Sequence, residues 1–560
     1  MLCAGELIHP LRDRISDLVK RDFVQPLLKR QKIGQGEGHH VLIWADPLPV
    51  GWLPRLPKQS VLRKRGLIDW RYWVLSSVEP DQSRKFSSNL LPSICGIFRI
   101  RIESSSPDCI RWREKPMKTL PYTLLSLSLS LVAMAESNWS TQRGPHSNGT
   151  AGEGMKLPAK FSPTENVVWK AELPGSSAAT PIVWGDHVFV TAADHEKKEL
   201  HAVCLDANTG KPRWSKMVSK GKVHLDDRSD FASPSPVTDG KRVAFFFGNG
   251  DLIVYSVDGK EEWRKNLIEK GANYFAFQWT FSTSPILSGD NLIMQILQRD
   301  VPFDYGGVSR GPEGAKKISS YLVAFDFATG KQSWKVDRPG DAVAESLEAF
   351  TSPVLSRTAD DGGDLQLLVA GGDVLTGHDP TNGKELWRWG TWNPKKIGHW
   401  RLVPSPVAGS GVVLACAPKK SPVYAVDMKT GKLLWKSKDP EVSSDVCTPL
   451  YHNGHFYVLN GEYKDKRISC IEPKTGKVLW SGTIGTRAKI EASPTLGDGK
   501  IYFQDHNGKV FVVAADPKKF SLLHQVEFGD RTVRDQRCSL ALANNRIFLR
   551  SQKTLYCFGK

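Results

Sequence analysis

Few of the usual chemical signatures are present in this 560-residue chain. Its nine cysteines include no adjacent Cys-Cys pair, no CxxC and no CxxCH, which removes zinc knuckles and covalently attached c-type haem. Neither a Gly-rich phosphate loop nor an HRD catalytic loop occurs, so a kinase is excluded. The one apolar run of note, Leu120 to Val132, is too short for a confident membrane span. No Lys/Arg run with interleaved aromatics marks a nucleic-acid groove. The formal charge of +17 is concentrated at the front, where the first 116 residues carry 20 Lys/Arg against 12 Asp/Glu. The rest is mildly basic, and no nucleic-acid partner is expected.

What the chain has is a repeat. Leu205-Asp206-Ala207-Asn208-Thr209-Gly210-Lys211 leads to Trp214, and versions of it lead to Trp334, Trp387, Trp435 and Trp480, with a shorter form, Val257-Asp258-Gly259-Lys260, leading to Trp263. Each copy reads as a strand, a tight turn whose Gly supplies positive φ, and a second strand with Trp at a fixed offset. A second marker opens each unit: Thr180-Pro181, Ser235-Pro236, Ser284-Pro285, Ser352-Pro353, Ser405-Pro406, Thr448-Pro449 and Ser493-Pro494. The steps between the prolines are 55, 49, 68, 53, 43 and 45 residues, and the surplus of the long step is the polar insertion Gln298 to Lys317.

Repeats of this period mean a propeller or solenoid. The seventh unit has Asp516-Pro517-Lys518-Lys519 in place of the Thr-Gly turn and Leu522-Leu523 where a Trp is expected. Three strands then remain before Lys560, while Val167 to Leu173, with Trp169, is a strand left over at the other end. The expected fold is therefore all-β, an eight-bladed β-propeller of four-stranded antiparallel blades over residues 166–560, in which the N-terminal strand completes the last blade and closes the ring. The repeated Trp is core, filling the wedge between blades. Cys204, Cys470 and Cys557 fall at matching strand positions of separate blades, and the expectation for them is buried free thiols.

Ahead of the propeller, Met117-Lys118, the apolar run and Ala133-Met134-Ala135 have the parts of a signal peptide at 117–135, cleaved after Ala135. Residues 1–116 read as a mispredicted or disordered extension and 136–165 as a lead-in. The mature protein is expected to be periplasmic or secreted, without a membrane span, and a monomer.

Ser-Pro … Asp-x-x-Thr-Gly-Lys-x-x-Trp resembles the repeat of the pyrroloquinoline-quinone (PQQ) propeller superfamily. The lead-in, with Arg143-Gly144-Pro145, Glu165-Asn166-Val167-Val168-Trp169-Lys170 and Leu173-Pro174-Gly175, is similar to secreted BamB-like propellers of planctomycete-type bacteria. The resemblance implies a choice between quinoprotein alcohol or sugar dehydrogenases and non-catalytic assembly or sensor propellers. The enzymes of the superfamily clamp PQQ between adjacent cysteines and a flat Trp, beside Ca²⁺ ligands and a catalytic Asp. The cysteine pair is missing here, although some glucose-type relatives also do without it.

Residues just ahead of the Ser/Thr-Pro dipeptides are expected near the axis at one mouth of the ring, and they are unusually polar or aromatic. The candidates for ligand binding are Asp230, Gln278, Trp279, Glu348, His399, Trp400, Arg401, Asp445, Glu491 and Asp535, with Asp226, Asp227, Arg228, Glu345, Arg534 and Arg537 alongside. No metal ligand set and no catalytic residue is assigned among them. The favoured reading is an exported, non-catalytic binding or scaffold propeller for protein partners or a small polar ligand. The alternatives are a PQQ- and Ca²⁺-dependent dehydrogenase, with Trp279 or Trp400 on the quinone and Asp230 or Glu348 as base, and a carbohydrate-binding propeller.

Overall fold

A computed structural model describes residues 29–36, 39–45, 101–104, 138–226, 228–268, 276–305, 308–312, 314–390, 392–528 and 536–559. Two compact units divide the chain near residue 120. In the first, Lys29–Gly36, His39–Ala45 and Arg101–Ser104 form a three-stranded antiparallel sheet with His39–Ala45 in the middle. The proposed signal segment and its cleavage point lie outside the described residues.

Among the described residues the second unit is eight four-stranded antiparallel sheets and a two-stranded ribbon, Phe303–Tyr305 with Val308–Arg310, all β apart from a 3₁₀ turn at Ala344–Leu347. Blade 1 runs Ile182–Trp184, His187–Asp194, Glu199–Asp206, Pro212–Lys220, and blades 2 to 7 repeat this order along the chain. Blade 8 takes Ala541–Ala543, Arg546–Ser551 and Thr554–Phe558 from the C-terminal end and Val167–Glu172 from the N-terminal side, with Cys557 opposite Trp169. Ring closure by the leftover strand is thus as expected. It hides what would otherwise be two open sheet edges.

Burial follows from each sheet being covered on both faces by its neighbours. The second and third strands are apolar almost without alternation, as in Lys500–Gln504 and Lys509–Ala514, while outer strands such as Gln332–Asp337 alternate between exposed and half-buried. Cys204, Cys470 and Cys557 are fully buried and unpaired, and burial pushes the thiols of Cys204 and Cys557 up to about 12.

The turn-and-Trp signature is an interblade joint. Every outer strand carries a bulge beside its Trp position, for example between Cys204↔Trp214 and Leu205↔Pro212. The extra residue re-aims the indole towards the following blade. There it lies on the turn glycine: a Cβ on Gly210, Gly259, Gly330 or Gly476 would come within 2.6, 2.7, 2.7 and 2.5 Å of Trp169, Trp214, Trp263 and Trp435 respectively. The Nε1 atoms of the same four indoles donate to carbonyls of that turn, Ala207, Val257, Phe327 and Pro473, at 2.7 to 2.9 Å. Gly is required there twice over, by φ of +70° to +86° and by the ring against it.

Blade 7 corrects the sequence reading. Its bulge shifts the register so that Val512 faces His524, and His524, not Leu522 or Leu523, holds the Trp position. Both leucines are exposed. The imidazole Nε2 lies 3.0 Å from the Phe161 carbonyl, and the fully buried Phe161 ring from the lead-in fills the wedge against Tyr502, Phe528 and Phe558.

The Ser/Thr-Pro dipeptides have a use beyond opening each unit. Thr180 N–H donates to Ser235 Oγ, Ser235 to Ser284, Ser284 to Ser352, Ser352 to Ser405, Ser405 to Thr448 and Thr448 to Ser493, each at 2.8 to 3.0 Å. The hydroxyls accept in series round the axis and lock seven inner strands in one register.

Candidate functional site

Strand direction fixes which loops share a face. The first strand of each blade leaves the mouth, the second returns to it, and so the loop after the second strand joins the loop before the first at the same end. The second set was missed from sequence, because no marker comparable to Ser-Pro announces it.

The mouth is built from both sets. Around Trp279, the indole N–H donates to Glu345 at 2.7 Å, Arg401 pairs with the same carboxylate, and the guanidinium carbons of Arg228 and Arg401 lie 5.4 and 5.2 Å from the ring centre. Asp226 accepts from the Thr280 N–H and hydroxyl at 3.0 Å each. Next to this group the fully buried Glu348 accepts from the Gln278 N–H at 3.0 Å and from Arg299 Nε at 2.7 Å, while Arg299 also reaches the Gln278 side chain and lies over Phe303. Burial lowers the Arg401 pKa, and the charges of Arg228 and Arg299 lower it further. Arg299 belongs to the second loop set, at the start of the blade 3 insertion.

A second group centres on Glu491. Arg537 Nε approaches it to 2.5 Å and His506 Nε2 to 3.0 Å. Burial raises the Glu491 carboxyl, but His506 and Arg537 outweigh it and hold the group well below the usual carboxylate range. Glu462, beside Lys489 at 3.1 Å, goes the other way through burial and the proximity of Glu491. Arg537 Nη1 donates to the Arg228 carbonyl, joining the two groups.

Arg228 and Arg537 also line a cavity of about 30 Å³ with Ser176, Ser177, Asp230 and Gln536. Asp230 is buried, accepts from the Ala232 N–H at 3.1 Å, and has His195 Nε2 at 3.6 Å, with His224 packed edge-on against His195.

The structure thus places Asp230, Gln278, Trp279, Glu348, Arg401 and Glu491 in connected groups. The others stand apart: Asp445 accepts from the Lys419 N–H, His399 is exposed, and Trp400 is tied by its backbone N–H to Ser346 Oγ. Asp535, with Asp227 and Arg534, lies outside the described residues. Arg299, His195, His506, Lys489 and Gln536 were not anticipated.

Calcium needs several hard oxygens converging on one point. Among the described residues no three His, Cys, Asp or Glu side chains converge in that way, and Glu345, Glu348 and Glu491 are each engaged by a guanidinium. These three carboxylates are therefore not free to serve together as Ca²⁺ ligands.

On the opposite face the lead-in crosses the ring. Trp139 pairs with Val183, Ser140 accepts from the Thr238 N–H, Asn148 accepts from the Tyr451 N–H, and Gly149 accepts from Leu496, linking blades 1, 2, 6 and 7. Arg143, buried at the centre, donates to the carbonyls of Pro494 and Pro449 at 3.0 and 3.1 Å.

Comparison with known proteins agrees with this architecture. The model of a family described as "Outer membrane protein assembly factor BamB" matches residues 159–300, 204–421 and 419–554. A tetrathionate hydrolase of Acidithiobacillus ferrooxidans is 26% identical over 199 residues, 34% of this chain and 38% of that protein, so the chain matches well under half of that relative's length. A europium-containing methanol dehydrogenase superposes with a TM-score of 0.55 at 13% identity, over 75% of this chain and 91% of that one. The quinohemoprotein alcohol dehydrogenase of Comamonas testosteroni gives 0.53 at 13% identity, over 76% and 81%. At such identities the two structures share the fold alone.

Proposed function

Because the chain belongs to the BamB family of PQQ-like propellers, we propose that it is an exported, non-catalytic binding module whose mouth holds a small polar ligand or a polar segment of a protein partner. One observation carries this reading. The mouth cavity offers serine hydroxyls, the Gln536 amide, the Arg228 guanidinium and one carboxylate, Asp230, a set suited to hydrogen bonding one polar group of a guest seated above it. Glu345, Glu348 and Glu491 are each committed to an arginine, and Asp226 to Thr280, which favours a preformed recognition surface over an acid–base or metal centre. Export is supported by the charged start, short apolar run and A-x-A sequence at 117–135.

The dehydrogenase reading is favoured by the fold shared with the two alcohol-oxidising enzymes. In that reading Trp279 stacks on the quinone and Asp230 or Glu348 acts as base. Against it, the Trp279 ring already has two guanidinium groups over it, and Glu348 is fully buried and bound to Arg299.

A photo-crosslinker at the exposed mouth residue Arg487, compared with one at exposed Lys241 on the far face, tests the binding reading in the native host. Discrete adducts from position 487 that disappear with Arg228→Ala support it. Equal labelling from both faces overturns it.

A further inference from the structure

Among the described residues three arginines are almost completely buried in the propeller, and in two of them every guanidinium nitrogen has an acceptor. Arg338 donates to the carbonyls of Gly371, Val369 and Val374 and, through Nε, to Thr376. Arg550 donates to Thr191, Gly175 and, through Nε, Gln552. These are cations used as multiple donors to orphan carbonyls.

Arg143 is different. Its Nη1 and Nη2 reach across the axis to blades 7 and 6, but Nε is buried and finds no acceptor among the described residues. No ion pair with a carboxylate is recorded for it among the described residues, and burial lowers its pKa to about 10. Cys447 is the titratable group beside it among the described residues, and burial holds that thiol protonated. A buried guanidinium with an empty donor and no counter-charge is expensive to maintain.

The space beside it explains how it is maintained. Arg143 lines a cavity of about 10 Å³ on the side of blades 3 and 4, with Gln142, Ser284 and Ser352 among its walls. Both serine oxygens already accept a backbone N–H in the interblade series, which leaves their protons to donate. Gln142 Oε1 is buried without a donor, and turning that amide presents its NH₂ to the same space. Arg143, Gln142 and the two serines thus supply polar groups to a lining that Pro285, Ile286, Pro353 and Val354 make largely apolar, around a volume with room for one small occupant.

We infer that this axial cavity is a binding site for a monatomic anion of halide size, held by Arg143 Nε and the hydroxyls of Ser284 and Ser352. The anion supplies the missing counter-charge and seals the lead-in into the ring. The mouth on the opposite face is then a blind funnel. This site is independent of the functional proposal.

The probe is bromide. Wild-type protein is melted in sodium bromide, sodium chloride and sodium gluconate at equal ionic strength, and crystals grown in bromide are measured at its absorption edge. The site predicts a melting temperature several degrees higher in either halide than in gluconate, and an anomalous peak within hydrogen-bonding distance of Arg143 Nε. Arg143→Gln is expected to lose the halide dependence. Should that variant fail to fold, the two wild-type measurements decide the matter alone. Equal melting in all three salts with no anomalous peak in the cavity means that water fills it, and the inference fails.

Discussion

The indole of Trp169 lies so close to Gly210 that a Cβ on residue 210 would fall 2.6 Å from its Cε3, and its Nε1 donates to the Ala207 carbonyl at 2.8 Å. Trp169 stands at the N-terminal edge of the propeller yet belongs to blade 8, while Gly210 belongs to blade 1. This pair is the seam at which the ring closes. Replacing Trp169 by Ala is expected to cost about 3–5 kcal/mol. Gly210→Ala, with φ at +71° and a ring in the way, is expected to cost about 2–4 kcal/mol. Urea unfolding of both single variants and the double variant should show less than additive loss.

The serine series makes a different prediction. Ser352→Ala removes the acceptor of the buried Ser284 N–H and is expected to destabilise by about 1–3 kcal/mol. Ser352→Thr should be close to neutral, because Thr448 already serves this role for Ser405. Loss of equal size in both variants would show that side-chain volume matters here, and not the hydroxyl.

At the mouth, Arg299→Ala leaves the fully buried Glu348 carboxylate without its guanidinium, an effect of about 3–5 kcal/mol. Adding Glu348→Gln removes the charge and should recover part of the loss. Arg228, which is exposed, should be dispensable for stability when truncated to Ala. Chemical denaturation separates these three outcomes.

Asp373 provides a pH test. It is buried at φ +64°, its Oδ2 accepts from Asn393 at 2.9 Å, and burial raises its pKa to about 6. The folded state therefore holds a proton that the unfolded state releases at lower pH. This group's effect is to make stability fall as pH rises between about 4 and 6, with the full penalty present above. Asp373→Asn should be more stable than wild type above pH 6 and level with it near pH 4. Parallel melting curves across that range would contradict the assignment.

The fold was legible because the residues that join the blades recur in the chain. A Trp, a glycine in a left-handed turn and a Ser/Thr-Pro pair carry the geometry wherever they fall, and their missing eighth copy pointed to Trp169. Where the joint is made otherwise, reading failed. His524 with Phe161 replaces the Trp wedge of blade 7 through a bulge that spacing alone does not reveal. The mouth was legible by halves. Loops ahead of Ser-Pro were found, whereas Arg299, His195 and His506 sit on return loops with no shared marker. Arg143 was seen only as part of a lead-in, since its partners Pro449 and Pro494 are 306 and 351 residues away.

The most direct measurement is reconstitution with PQQ and Ca²⁺, followed by dye-linked oxidation of alcohols and sugars. The account predicts no dye reduction above a protein-free control and no quinone absorbance retained after gel filtration. Dye reduction that requires both PQQ and Ca²⁺, and that falls on changing Trp279→Ala, would contradict it.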